Sequence, residues 1–214
     1  MHENTNHFQG TTLTPCVEAL AASVVGTSTT LLTRGGMHSY SIMNALSEGD
    51  CPLTPSTCLD IDAMLSHTVY TLGYRTPGAM EKVEDLVEQG AMLLDIRTMP
   101  RSRYYWRWNR KQLQARFGVQ HYDHLELLGN VNYQFPDRPM ELQDPMNGIL
   151  WLLVYLQRRD VVVLCGCPDP TRCHRSLVCV LLHLLLPTLS IVHLLARTDG
   201  TCGWIEQRGG EVAA

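Results

Sequence analysis

The feature that most constrains the fold of this chain is the alternation of short apolar segments with amphipathic segments from residue 68 onwards. Short runs of Val, Leu and Ile that end in Gly or polar residues are typical of buried strands. The segments between them carry apolar residues at helical spacing and often begin with Pro. Strands interleaved with helices predict an α/β fold, in which a mainly parallel sheet has helices on both faces. The predicted strands are 68–73, 92–97, 120–122, 161–164 and 190–194, and the predicted helices are 77–88, 109–117, 145–158 and 173–186.

The two ends of the chain differ in composition from this central part. Residues 1–63 are rich in Ser and Thr, with Arg34 as the only Arg or Lys, and their apolar spacing predicts no more than a short helix near residues 15–25. Such a segment cannot bury enough apolar surface to fold alone. We therefore predict a poorly structured extension over residues 1–66, a single α/β domain over 67–196 and a flexible, Gly-rich tail over 197–214. Within that tail, Trp204 could dock on the domain.

Charge and hydropathy exclude several classes of protein. The formal net charge of −4 gives no global reason to bind nucleic acid or an anionic membrane. The Leu-rich stretch 149–156 is too short for a bilayer span, and the stretch 177–195 is interrupted by Pro187. The first residues lack the pattern of a secretory signal, so we expect a cytoplasmic protein whose cysteines are free thiols.

Polar side chains follow two of the predicted strands at their carboxyl ends. Asp95 and Arg97 end the second strand, and Cys165 ends the fourth. The loop after Cys165 leads to three further polar residues at the start of a helix: Cys173, His174 and Arg175. Carboxyl ends of parallel strands meet at one edge of a sheet, where open α/β folds bind ligands. We therefore predict that these two segments form one site.

The residue types at this site suggest a reaction on an anionic substrate. A helix start carries partial positive charge, which holds anions and lowers the pKa of a nearby thiol. Arg97 and Arg175 would then hold the anion, and Asp95 or His174 would move a proton. Cys165 or Cys173 would be the nucleophile if the reaction is covalent.

Structural roles remain open for the same residues. Free cysteine is among the most buried residue types, so Cys165 could simply fill the core. Cys173 and His174 could serve only to cap or pack the helix. Cys179, one turn after Arg175, is expected to be a core residue.

Two familiar kinds of cysteine site are disfavoured by spacing. The sequence Cys165-Gly-Cys167 followed by the adjacent pair Cys173-His174 makes tetrahedral closure awkward, so no metal site is predicted. A phosphatase-type loop from Cys167 to Arg172 would be one residue short, and its prolines lack amide donors. The chain also has no P-loop, no GxGxxG after a strand and no GxSxG, and no cofactor is predicted.

Cationic and aromatic residues alternate between residues 97 and 111, where no acidic residue occurs. Such a mixture suits contact with a nucleotide or with single-stranded nucleic acid, although it could equally be a solvated loop. The residues concerned are Arg97, Arg101, Arg103, Tyr104, Tyr105, Trp106, Arg107, Trp108, Arg110 and Lys111.

Four short motifs occur in a recognisable order. They are Thr71-Leu72-Gly73-Tyr74, Asp95-Ile96-Arg97 with Pro100 and Ser102, Glu126-Leu127-Leu128-Gly129, and Leu164-Cys165 with Cys173-His174-Arg175. Over roughly residues 68–194 the chain resembles the domain-of-unknown-function family 488. The resemblance adds Tyr74 and Ser102 to the residues expected to bind substrate, and the cationic run adds Arg103. One position departs from the family, which usually has an acidic residue where this chain has Cys167.

Three functional hypotheses follow. The first is an enzyme that acts on an anionic substrate, such as a nucleotide or a nucleic-acid component, at a cleft lined by Asp95, Arg97, Cys165, His174 and Arg175. The second is a non-catalytic module that binds nucleic acid or another partner. The third is a metal-responsive or redox-responsive protein. The oligomeric state does not follow from the sequence.

Overall fold

The computed structural model describes residues 59–196 and 204–208. The chain divides into two units, Met1–Leu59 and Asp60–Ala214, and the α/β fold belongs to the second. The predicted extension up to residue 58, with its short helix near residues 15–25, lies outside the described residues. The same holds for residues 197–203 and 209–214.

A six-stranded sheet forms the centre of this unit, with the strand order β3-β2-β4-β1-β5-β6. The first five strands run parallel, and β6 pairs antiparallel with β5. The mainly parallel α/β fold is therefore confirmed. The strands are β1 (Thr68–Gly73), β2 (Met92–Asp95), β3 (Tyr122–His124), β4 (Val161–Cys165), β5 (Ser190–Ala196) and β6 (Trp204–Arg208).

Helices cover both faces of the sheet. They are α1 (Ile61–Leu65), α2 (Ala79–Glu88), α3 (Arg110–Phe117), α4 (Pro145–Leu156) and α5 (Arg175–Leu185). Val83 of α2 and Leu113 of α3 share one buried cluster with Val162 and Leu164. Because strand side chains alternate, Val163 faces the opposite side, where α4 and α5 contact each other. Every residue of β4 is buried, as expected for a central strand covered on both faces.

The domain begins earlier than predicted. Asp60 caps α1 by accepting a hydrogen bond from the amide of Ala63 at 3.1 Å, and Met64 on this helix is completely buried. A boundary at residue 66 was therefore too late. It was missed because α1 has only five residues, too few to show a helical period.

The C-terminal region also differs from its prediction, because Trp204–Arg208 forms the edge strand β6 instead of a flexible tail. Trp204 packs against the core cluster, as the sequence suggested. The strand was missed because a short edge strand depends on pairing with its neighbour rather than on its own apolar pattern. No helix within the described parts of the chain is long and apolar enough to cross a membrane.

Met64 provides a test of the corrected boundary. Replacing Met64 with Ala in the full chain should lower the free energy of unfolding by about 2–5 kcal/mol, because it empties a buried site. Ile61, on the same helix, is 44% exposed, and Ile61→Ala is the matched control with an expected change below about 1 kcal/mol. Chemical denaturation measures both. Equal effects of the two substitutions would show that α1 is not part of the folded unit.

Candidate functional site

The predicted site lies at the carboxyl edge of three neighbouring strands, β2, β4 and β1. The parallel register pairs Asp95 with Leu164, and Gly73 with Cys165. These strands therefore end side by side, and the loops that follow them start from the same edge. The strand ends supply Asp95, Cys165 and the turn at Gly73 and Tyr74.

Asp95 and Arg97 form a buried ion pair with two parallel contacts. The Nε of Arg97 donates to Oδ1 of Asp95 at 2.7 Å, and Nη2 donates to Oδ2 at 2.5 Å. The hydroxyl of Tyr122 also donates to Asp95 Oδ2, at 3.1 Å. A bidentate pair of this kind is strong and geometrically specific. Asp95 is thus committed to Arg97 and Tyr122.

Arg97 nevertheless keeps one free donor. Its Nη2 also donates to the carbonyl of Trp108 at 2.5 Å, whereas Nη1 is buried and has no partner among the described residues. Burial acts to lower the pKa of Arg97, but the hydrogen bond and charge of Asp95 outweigh it and raise the pKa. The side chain therefore stays cationic.

Tyr74 connects the two predicted segments. Its amide donates to the carbonyl of Cys165 at 2.8 Å, and Cζ of Arg97 lies 4.9 Å from the centre of its ring. The ring stacks on Trp108 at 5.6 Å and meets the edge of Tyr105 at 5.4 Å. Tyr74 is thus the centre of an aromatic group at the sheet edge.

Cys165 and His174 face each other, with 3.6 Å between Sγ and Nδ1. On its other side, Nε2 of His174 lies 3.1 Å from the carbonyl oxygen of Ile96. A carbonyl can only accept a hydrogen bond, so the proton of the neutral ring is assigned to Nε2. Burial lowers the pKa of His174. Nδ1 is therefore left as an acceptor that faces the thiol.

Three thiols lie together beside this histidine. The sulfur atoms of Cys165, Cys167 and Cys173 are all within 4.8 Å of one another. Cys165 and Cys173 are buried, and Cys167 is half-buried. Hydrogen bonds from Cys167 and then from Cys173 hold the pKa of Cys165 well below its ordinary value, against the effect of burial. Hydrogen bonds with Cys165 and then with Cys167 raise the pKa of Cys173, and burial adds to this effect.

Arg175 is completely buried and holds the loop that carries Cys167. Its Nη1 donates to the carbonyl of Cys167 at 2.5 Å, and Nη2 donates to that of Pro168 at 2.9 Å. Within the described ranges no carboxylate forms an ion pair with Arg175, and its Nε has no hydrogen-bond partner. A Cβ on Gly73 would overlap the carbonyl oxygen of Cys167, so only glycine allows this close approach.

The described structure thus brings most of the predicted residues together. Tyr74, Asp95 and Arg97 form one group, and Cys165, Cys173 and His174 form another. The contacts of Ile96 with His174 and of Tyr74 with Cys165 join the two groups. The helix α5 begins at Arg175 with His174 as its N-cap, so Cys173 lies just before it.

Two predicted binding residues lie elsewhere on the 97–111 loop. The amide of Ser102 donates to Oδ1 of Asn109 at 2.5 Å, and its hydroxyl accepts from the amide of Tyr105 at 3.0 Å. Arg103 is exposed. Ser102 therefore shapes the loop, and no contact in the described structure joins either residue to the thiol group.

Three further residues belong to the site but were not among the predicted site residues: Cys167, Tyr122 and His124. Trp108, which the sequence placed in the cationic and aromatic run, also contacts the site through Tyr74 and Arg97. Tyr122 and His124 lie on β3, and Nε2 of His124 is 2.7 Å from the carbonyl oxygen of Arg97. The parallel position of β3 beside β2 was the available signal for both. The three clustered sulfurs are also the group that could hold a metal ion.

The ion pair of Asp95 gives a direct test. Asp95→Asn should lower the free energy of unfolding by about 3–5 kcal/mol, because the buried Arg97 loses its counter-charge. The matched control Asp137→Asn removes an exposed carboxylate and should change stability by less than about 0.5 kcal/mol. Denaturant titration compares them, and similar values for both variants would argue against a buried pair.

Comparison with known proteins gives one family match. Residues 81–182 match the model of the family described as Domain of unknown function DUF488. This range runs from α2 into α5 and contains the ion pair, the thiol group and His174. Neither the curated proteins nor the solved structures gave a match. From Glu81 to Leu182 the chain therefore resembles the DUF488 family, as its motifs indicated.

Proposed function

We propose that this protein is an enzyme that acts on an anionic substrate, with Cys165 as nucleophile and His174 as its base. The observation that carries the proposal is the 3.6 Å separation of Cys165 Sγ and His174 Nδ1. A thiol beside a base that a third group orients is the arrangement of covalent catalysis. Here the orienting group is the carbonyl of Ile96.

The proposed reaction assigns one step to each partner. His174 Nδ1 takes the proton of Cys165 as the sulfur forms a bond to the electrophilic atom of the substrate. The bond to the leaving group breaks, and His174 returns the proton to that group. Water then releases the second product by the reverse proton path. Asp95 has no part in this scheme, because Arg97 and Tyr122 occupy its oxygens.

Two buried cations support the anionic character of the substrate. Nη1 of Arg97 and Nε of Arg175 are buried donors without a partner in the described structure. Buried donors normally have partners, so an orphan beside a candidate site suggests that a ligand atom completes it. Arg175 also lacks a carboxylate partner within the described ranges. An anionic substrate at this edge of the sheet would provide a hydrogen-bond acceptor for the unpaired donors and a negative charge for Arg175.

The free thiols also bear on where the protein works. Cys165, Cys167, Cys173 and Cys179 are all unpaired. Free thiols persist in a reducing compartment, which supports the cytoplasm as the proposed location.

Alkylation mapped by mass spectrometry tests the nucleophile. With a chelator present, iodoacetamide should modify Cys165 faster than Cys179, although the two cysteines are buried to a similar extent. His174→Gln should slow modification of Cys165 about tenfold or more, since Gln accepts no proton. His67→Gln is the control, because His67 contacts Asp160 away from the site. An unchanged rate in His174→Gln would remove the proposed base.

A second candidate function is binding of single-stranded nucleic acid, with or without catalysis. Tyr104 is 86% exposed and Trp106 is 56% exposed. Cζ of Arg107 lies 5.7 Å from the centre of the Trp106 ring. Exposed aromatic rings interleaved with cations are the elements on which bases stack and phosphates bind. This surface adjoins the site, because Tyr105 contacts Tyr74.

Salt dependence tests the nucleic-acid candidate. If the loop binds phosphates, the double variant Arg103→Ala and Arg107→Ala should weaken binding of a labelled oligonucleotide and reduce the salt slope by about 2. The double variant Arg138→Ala and Arg158→Ala removes two exposed cations elsewhere and serves as control. Equal losses in the two double variants would mean that binding follows net charge and not this surface.

A further inference from the structure

The three clustered thiols come from two separate segments of the chain. Cys165 is the last residue of β4, and Cys167 follows two residues later. Cys173 precedes α5, after a 3₁₀ turn at Pro170–Arg172. The loop between them is fixed by Arg175, which binds the carbonyls of Cys167 and Pro168. The fold therefore achieves a convergence that the spacing of these cysteines had argued against.

We propose that this cluster binds one thiophilic divalent cation, of which Zn²⁺ is the type, through the sulfurs of Cys165, Cys167 and Cys173 and Nδ1 of His174. The inference does not rest on the proposed enzymatic function. Binding releases the remaining thiol protons to solvent, so that three thiolates and a neutral imidazole surround the ion.

The distances suit a three-sulfur site that His174 would complete from the side of Cys165. With Zn–S bonds of about 2.3 Å and a Zn–N bond of about 2.1 Å, two sulfurs lie about 3.8 Å apart and a sulfur and a nitrogen about 3.6 Å apart. The sulfurs are within 4.8 Å of one another, and Cys165 Sγ is 3.6 Å from His174 Nδ1. The sulfurs would close by about an ångström. Nδ1 of His174 lies beyond 4.8 Å from at least one of the sulfurs, so its ring would have to move further to complete the tetrahedron.

The surroundings of His174 also match those of a metal ligand. A histidine that binds a metal through one nitrogen usually donates its other ring N–H to a carbonyl or carboxylate, which fixes the ring. Nε2 of His174 lies 3.1 Å from the carbonyl oxygen of Ile96. The contact with Ile96 that orients His174 as a base for Cys165 would equally orient His174 as a metal-binding residue.

The charge of Arg175 gives a third, independent argument. Three thiolates, one neutral histidine and a divalent cation carry a net charge of −1. A buried guanidinium requires a nearby negative charge, and within the described ranges Arg175 has no carboxylate partner. Arg97, in contrast, is neutralised by Asp95. A metal–thiolate centre would supply the counter-charge that Arg175 lacks.

The ligand set selects the class of ion. Thiolate and imidazole favour borderline and soft metals, whereas Mg²⁺ and Ca²⁺ require oxygen ligands. Cys167 is half-buried and provides the side from which the ion enters. An ion in this position occupies Cys165, so metal binding and thiol catalysis would be exclusive states of one cluster.

Cobalt substitution tests the metal site. Anaerobic titration of the chelator-treated full chain with Co²⁺ should give a thiolate-to-cobalt charge-transfer band and tetrahedral d–d bands that saturate at about one ion per chain. Zn²⁺ should abolish both. Cys167→Ser should weaken Co²⁺ binding at least about tenfold. Cys179→Ala is the matched control, because it removes a buried thiol outside the cluster, and its binding should equal that of the unchanged protein.

Two results would overturn the metal site. One is the absence of a charge-transfer band in the unchanged protein. The other is a band that persists in both Cys167→Ser and Cys173→Ala, which would assign it to Cys16, Cys51, Cys58 or Cys202. Alkylation of Cys165 in the chelated, unchanged protein separates this proposal from the enzymatic one, because the proposed nucleophile–base pair needs no metal ion. Rapid alkylation of Cys165 without a cobalt signal would support the proposed nucleophile and contradict the metal site.

Discussion

The buried guanidinium of Arg175 is the interaction on which the site depends. It starts α5, reaches back to two carbonyls of the preceding loop and lies against the end of β1. Carbonyl oxygens carry only partial negative charge. These contacts therefore give the guanidinium hydrogen-bond acceptors but do not neutralise its positive charge. The loop that holds two of the thiols, Cys167 and Cys173, is therefore fixed by a cation that still attracts an anion.

The other buried cation shows the contrasting solution. Arg97 and Asp95 are two residues apart on one strand end, and they neutralise each other through a bidentate contact. That pair supports Tyr74 and the carbonyl of Trp108, and so it shapes the aromatic side of the site. Within the part of the chain that the structure describes, Arg97 thus has a carboxylate partner and Arg175 has only carbonyl partners, although the sequence suggested the same role for both.

Much of the fold could be predicted from the sequence because strands such as Val161–Cys165 are uniformly apolar and lie between long helices. The convergence of Cys165 and His174 with the Asp95 strand followed from the shared edge of parallel strands. The pairing of Asp95 with Arg97 did not, because residue spacing does not reveal whether two charges on one strand end face each other or a ligand. The position of Cys167 beside Cys165 and Cys173 was missed for a related reason. The conformation of this proline-containing loop depends on hydrogen bonds from Arg175 to the carbonyls of Cys167 and Pro168, which local sequence does not reveal.

The two edges of the described sheet differ in length and in charge, which are the properties that govern pairing between sheets of different molecules. One side ends on β3, whose three residues offer few backbone groups to another chain. On the other side β6 covers β5, and β5 is the longer and more apolar of the two strands. The side chain of Glu206 on β6 is exposed. Short edges and charged residues on edges discourage pairing between sheets of different molecules. By covering β5, the antiparallel strand β6 is expected to reduce pairing of this sheet with the sheet of another molecule.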